Sequence, residues 1–269
     1  MKIKTILLAS AGLLLVACAT NPLTGKKQFS VIDEDSYLIP MAYTQYTDFL
    51  KESKVVTGTA QAQMVDRVGS KIKNAAIKWM RSKGMEDRLK NYKWDYNLIQ
   101  NDQANAWCMP GGQIAVFTGI MPITKNETGL ATVMGHEVAH ALLSHGKHRV
   151  QGAMAQSAGG VLVGMATSES SALTQQGIAL AYGLTSNMGM LAYGRSHESE
   201  ADRLGLILMA VAGYDPGDAI DFWQRMSSQT GGSGTPEFLS THPSHNTRIN
   251  NIKKFIPEAK SEAKKLGIR

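Results

Sequence analysis

The chain has 269 residues, 43% of them hydrophobic and 19% charged. That length allows one sizeable core or two small ones, and the balance is ordinary for a globular protein. The net charge is +6, and no Lys/Arg run has the density of a nucleic-acid arm, so nucleic acid is not an expected partner.

The first segment, "MKIKTILLASAGLLLVAC", places Lys2 and Lys4 before an apolar run from Ile6 to Ala17 and then Cys18. This is the layout of a signal peptide over residues 1–17, and the run is too short for a spanning helix. "LVAC" resembles a bacterial lipobox, so Cys18 is the expected lipidation site and the expected membrane anchor. Ala19 rather than Asp follows it. By resemblance to Gram-negative lipoproteins, that favours the outer membrane, with the body in the periplasm. With Cys18 lipidated, Cys108 has no partner and no internal disulfide is available.

Residues 18–35 are polar, carry Pro22 and Gly25, and read as a tether docking onto the domain. In "QAQMVDRVGSKIKNAAIKWM", Met64, Val65, Val68, Ile72, Ala75 and Ile77 recur at helical spacing. "YKWDYNLIQ" alternates and predicts a strand at 92–99. "NDQANAWCMPGG" reads as irregular, and "QIAVFTGI" as a second strand. Thr124 and Glu127 form an expected capping box that opens a long helix, with Gly146 as its stop. Residues 150–194 are rich in Gly, Ala, Ser and Met and read as loosely packed helices or a long mobile segment. "SHESEADRLGLILMAVAG" is an expected helix capped by Ser196 and ended by Gly213, and Asp215–Pro216 opens the next. "GGSGTPEF" reads as a loop, and a helix closes the chain. The expectation is α+β and mostly helical: one domain over residues 36–269 with a small sheet.

The long helix carries "HEVAH", in which His136, Glu137 and His140 form H-E-x-x-H. Four residues advance a helix by about 6 Å and turn it by about 400°. Both imidazoles therefore leave the same face and can converge on one ion, with Glu137 within reach of a water there. Zinc suits two His nitrogens and a carboxylate with one position open. The surrounding residues are apolar, and two His and a Glu in a core are costly unless paired or ligated.

A third ligand is needed. His145 and His148 are nearest in sequence, but His145 lies about 140° round the helix from His140, which reads as a solvent-side or helix-end position. "HESEAD" offers Glu198 and Asp202 one turn apart on the later helix. Glu198 is the expected ligand. Asp202 is the expected acceptor for the outer nitrogen of a ligand His. Glu200 and His197 read as lying outside the site.

H-E-x-x-H followed far downstream by "ESEAD" resembles the zinc metallopeptidases related to the CAAX prenyl proteases and the HtpX protease. "TNPLTGKKQFS", "NAWCMPGGQIAVFTGIM", "SHESEADRLGL", "AGYDP" and "THPSHNTRI" resemble its soluble periplasmic lipoprotein branch. The resemblance implies a gluzincin-like zincin fold and one Zn2+ held by His136, His140 and Glu198. It also implies Glu137 as catalytic base and Asp202 as a supporting residue or proton donor. His242, in "THPSH", is the expected oxyanion donor or a reversible fourth ligand. Arg248 reads as a solvated face rather than a partner of the site acids. "QIAVFTGI" is the expected edge strand for an extended substrate, and residues 150–194 are a candidate lid. The expected function is an outer-membrane-anchored zinc endopeptidase acting on unfolded or misassembled envelope proteins. An envelope chaperone or assembly factor is the alternative, and a structural zinc site the weakest one.

Overall fold

In the computed structural model, residues 18–30, 32–157, 194–229, 236–242 and 246–268 are described. The signal-peptide segment and most of the candidate lid lie outside them. Among the described residues no helix is long and apolar enough to cross a membrane.

Two three-residue strands, β1 (Cys18–Thr20) and β2 (Lys27–Phe29), pair as an antiparallel hairpin. Between them the Asn21 side-chain amide donates to the Leu143 carbonyl at 2.9 Å, and Ile32 just beyond is buried. The segment after Cys18 is thus bonded to the body. Helix α1 (Ile39–Glu52) follows, then β3 (Val55–Val56) and α2 (Ala60–Ser82). Thr59 caps α2 by accepting from Ala62 N, and its buried side includes Val65, Val68, Ile72 and Ala75, as the helical spacing predicts.

The main sheet adds β4 (Asp95–Ile99), β5 (Ala106–Cys108) and β6 (Gln113–Phe117) in the spatial order β3-β4-β6-β5. β4 and β6 are parallel and the other pairs antiparallel. Two expectations change here. "NAWC" is a strand rather than irregular chain, because the Gly111–Gly112 pair, both at positive φ, turns the backbone tightly enough to pair it with β6. β6, in turn, is flanked on both sides, and among the described residues the edges are β3 and β5. The strand period divides the sheet between two clusters. Ile114, Val116, Ala106 and Cys108 face the main core. Ala115, Phe117 and Trp107 face a smaller cluster with α1, where the Trp107 ring packs edge-on to Tyr46 and Phe49.

A short helix α3 (Met121–Thr124) leads to α4 (Glu127–Leu142). The cap of α4 is Asn126, whose side chain accepts from Gly129 N, not Thr124, whose hydroxyl is turned inward to the Met121 carbonyl. α4 is buried all round from Gly129 to Leu142, as a helix without a polar face must be. It stops before Gly146: Ser144 takes φ 59°, and a new helix, α5 (His145–Ser157), starts with Gly146 in its first turn. α6 (Arg195–Val211) begins after Gly194, with Ser196 inside its first turn rather than at the cap. It ends where Gly213 takes positive φ. Asp215 opens the turn into α7 (Ala219–Ser228). Glu237–Thr241, of which Glu237 and Phe238 were expected as loop, form a short helix α8, and α9 (Asn246–Lys265) closes the fold.

α4 and α6 cross where both carry glycine. A Cβ on Gly205 would lie 3.0 Å from His136 N and Cα, and one on Gly135 3.0 Å from the Gly205 carbonyl. This close approach sets H-E-x-x-H against the acids of α6.

Candidate metal centre

The residues chosen by spacing on α4 and α6 converge. His136 and His140 present Nε2 atoms 3.1 Å apart. Glu198 Oε1 lies 3.2 Å from His140 Nε2, and Glu198 Oε2 lies 3.5 Å from His136 Nε2. His242, at the end of α8, brings Nδ1 to 3.2 Å from His136 Nε2 and 2.9 Å from Glu198 Oε1. All four side chains are buried. Ligands about 2.0–2.1 Å from a tetrahedral zinc stand roughly 3.3 Å from one another, and one donor atom from each of the four lies within 4.8 Å of the others, close enough for one ion. They form a group that could hold a metal ion.

The outer contacts set the tautomers. Asp202 Oδ1 lies 3.0 Å from His136 Nδ1. A carboxylate only accepts, so His136 donates from Nδ1 and turns the lone pair of Nε2 inward. The charges around the centre call for a cation there. Burial disfavours the imidazolium of His136, yet Glu198 and Asp202 outweigh it and hold the group up at about 9. Burial pushes the Glu198 carboxyl up, but His242 and His136 outweigh it and hold it well below the usual range. Burial drives His140 well down, towards the neutral form that binds metals. Two buried acids thus draw positive charge to the point where the nitrogens meet, which suits a divalent cation.

Glu137 is 1% exposed. Its Oε1 lies 3.3 Å from His242 Nε2 but outside hydrogen-bond alignment, and it has no hydrogen-bond partner among the described residues. Burial raises the Glu137 carboxyl above its ordinary value, the direction a general base near neutrality needs.

Arg248 departs from its expected solvated face. It is 5% exposed and donates from Nη1 to Glu198 Oε2 at 2.9 Å and from Nη2 to Asp202 Oδ1 at 2.6 Å. Its guanidinium stacks on Trp223, 3.4 Å from the ring centroid. Only the family-like string "THPSHNTRI" hinted at it.

His145 and Glu200 also depart from expectation. His145 is fully buried, because the break at Ser144 folds it back instead of letting it continue round α4. Its Nδ1 lies 3.0 Å from His140 Nδ1, and its Nε2 3.0 Å from Glu200 Oε2. Burial lowers His145. It also lowers His148 and His197, each to about 4, and His197 stacks on His145 with centroids 4.2 Å apart. Glu200 is pushed up by burial, but the bonds from His145 and Lys26 outweigh that and hold it at about 2.

The sequence profile of peptidase family M48 matches residues 66–256, a span that holds both ends of this centre. The chain belongs to peptidase family M48. That makes it a member of the zinc metallopeptidases, with zinc as the cofactor that the donor set suits. It is 37% identical over 172 residues, 64% of its length, to the mitochondrial metalloendopeptidase OMA1 of Schizosaccharomyces pombe, of which 49% is covered. The human metalloendopeptidase OMA1 is 28% identical over 265 residues, 94% of this chain and 49% of that protein. The β-barrel assembly-enhancing protease of Escherichia coli is 29% identical over 162 residues, 56% of this chain and 32% of that protein. The chain spans about half the length, or less, of these curated relatives.

Proposed function

We propose that this chain is a zinc metalloendopeptidase of the bacterial envelope, held at the outer membrane by lipid on Cys18, that hydrolyses unfolded or misassembled envelope proteins. The observation that carries the reading is the convergence of His136, His140 and Glu198 with Glu137 buried beside them. His136, His140 and Glu198 hold the ion. Zinc, when bound, supplies Lewis acidity, lowering the pKa of a water and polarising a carbonyl. Glu137 takes the proton of the attacking water and hands it to the leaving amine. Asp202 keeps His136 in the tautomer that faces the ion.

His242 stands at the fourth corner and closes the centre in this state. It turns away to admit water and substrate, and from there it is placed to donate to the oxyanion. Its segment is docked by Phe238 N donating to the Ala104 carbonyl at 3.0 Å. Unchanged turnover and an unchanged pH profile in His242→Ala would remove both roles.

An extended substrate pairs with β5, not β6. Asn105 and Met109 bond across to β6, so the alternate residues Ala106 and Cys108 direct their backbone groups away from β6, where Ala106 N now donates to Asn105 Oδ1 at 2.9 Å and substrate would take that place. Backbone pairing reads little sequence, which suits varied unfolded chains. The name of the Escherichia coli relative couples proteolysis to β-barrel assembly, and the lipobox-like "LVAC" supports the same compartment. Residues 18–35 serve as the tether and 36–269 as the peptidase domain.

The deciding experiment is Glu137→Gln. The variant is expected to keep zinc, lose hydrolysis of an unfolded β-barrel protein, and retain bound envelope chains. Undiminished hydrolysis would overturn the reading. The occupied fourth corner also gives a second reading some footing, an assembly factor with little proteolysis. Full biological activity of Glu137→Gln would favour it.

A further inference from the structure

The two histidines of H-E-x-x-H have different outer partners. His136 is held by a carboxylate directly, through Asp202. His140 Nδ1 faces His145 Nδ1 at 3.0 Å. Two facing ring nitrogens at that distance share one proton. With His140 Nε2 turned to the metal, the proton sits on His140 Nδ1, and His145 Nδ1 accepts it. His145 must then carry its own proton on Nε2, which lies 3.0 Å from Glu200 Oε2, an obligate acceptor. This assignment gives each of these contacts one donor and one acceptor.

We propose that Glu200 and His145 are positioning residues for His140, a carboxylate–imidazole relay that fixes its tautomer and ring plane as Asp202 does for His136. His145 lies on the far side of the His140 ring from the centre, so it acts through His140 and does not ligate. The His197 ring, stacked on it at an interplanar angle of 21°, holds its plane. The outer end is locked from the N-terminal segment: Lys26 pairs with Glu200 and donates to Ser196 Oγ at 2.7 Å. The residues that follow Cys18 therefore bear on a metal-binding histidine through three side chains, Lys26, Glu200 and His145.

The proposal rests on zinc binding at this centre and is tested on the full chain by chelator competition for zinc. The visible spectrum of the cobalt-substituted protein and the melting of the metal-free protein are recorded in parallel. Removing an outer partner of a ligand histidine weakens metal binding by roughly 10- to 100-fold. Glu200→Ala and His145→Phe are each expected to fall in that range and to shift the cobalt bands. Glu200→Gln, whose amide oxygen can still accept from His145, is expected to recover most of the loss. If His145→Phe fails to fold, Glu200→Ala decides. Wild-type zinc affinity and an unchanged cobalt spectrum in Glu200→Ala would overturn the relay. A wild-type protein that binds no zinc would overturn the centre as well.

Discussion

Gly205 of α6 lies against the backbone of His136: a side-chain carbon there would sit 3.0 Å from both His136 N and Cα. The metal-binding turn of α4 is therefore packed backbone to backbone. Glycine in a helix interior costs about 1 kcal/mol relative to alanine, and here that cost is set against a close helix crossing. Gly205→Ala recovers the propensity but pushes on a backbone, so its net effect on stability is small. Gly205→Val recovers little propensity and overpacks more, with an expected loss of about 1–3 kcal/mol. Both are expected to weaken zinc binding, because α4 must move away from Glu198. Denaturant unfolding and zinc competition read the two effects. Wild-type zinc affinity in Gly205→Val would show that the crossing does not set the site.

Arg248 is the buried cation for two acids, Glu198 and Asp202. Removing one partner of a buried ion pair costs about 3–5 kcal/mol, because it strands the other charge. Arg248→Leu is expected to lose about that much in the metal-free protein. The loss should be smaller with zinc bound, since the divalent ion offsets the Glu198 charge. Urea unfolding with and without zinc measures both. Equal losses in the two forms would mean that Arg248 contributes by packing on Trp223 alone.

Glu262 joins α9 to α2. Lys265 and Lys83 bond to it at 2.7 Å and 2.6 Å and hold its carboxyl down from 4.5 to about 2. A depressed carboxyl stabilises fully above its unfolded value. That contribution is lost as pH falls from about 4.5 through about 2. Glu262→Gln is therefore expected to flatten this part of the acid limb, and salt is expected to reduce the difference from wild type. Thermal melts at pH 6 and pH 2.5 test it. An identical acid limb in the variant would contradict the assignment.

Cys108 is 1% exposed, and burial, helped by the nearby Glu137 charge, pushes its thiol well above the ordinary value. Thiolate is the reactive form. In a Cys18→Ser chain, Cys108 is expected to resist a thiol reagent at pH 8 while folded and to react fully once unfolded. Rapid reaction of the folded chain would show that the Cys108 side chain is not packed in the core.

Much of the centre was legible because its signals are local. Helical spacing alone puts His136 and His140 on one face and Glu198 and Asp202 on another, and the apolar residues around them foretell burial. Those steps reach only a few residues along one helix. The errors came where a local rule was carried across a break. His145 was expected at a solvent-side or helix-end position; it does stand at a helix end, but Ser144 takes a left-handed conformation and folds it back, buried, onto His140. Glu200 was expected at the surface, because nothing in "HESEAD" shows that Lys26 and His145 come from either side to meet it.

The sequence by itself determined the half-sites: which side chains leave one face of α4 and which leave one face of α6. A helix fixes that through its 3.6-residue period, with no reference to the rest of the chain. Only the tertiary structure decided how the halves meet. The Gly135–Gly205 crossing, the Arg248 clamp, the His242 corner and the pairing of β5 with β6 all join residues far apart in sequence. Such contacts depend on which buried surfaces fit together, and no periodicity within a single segment encodes that fit.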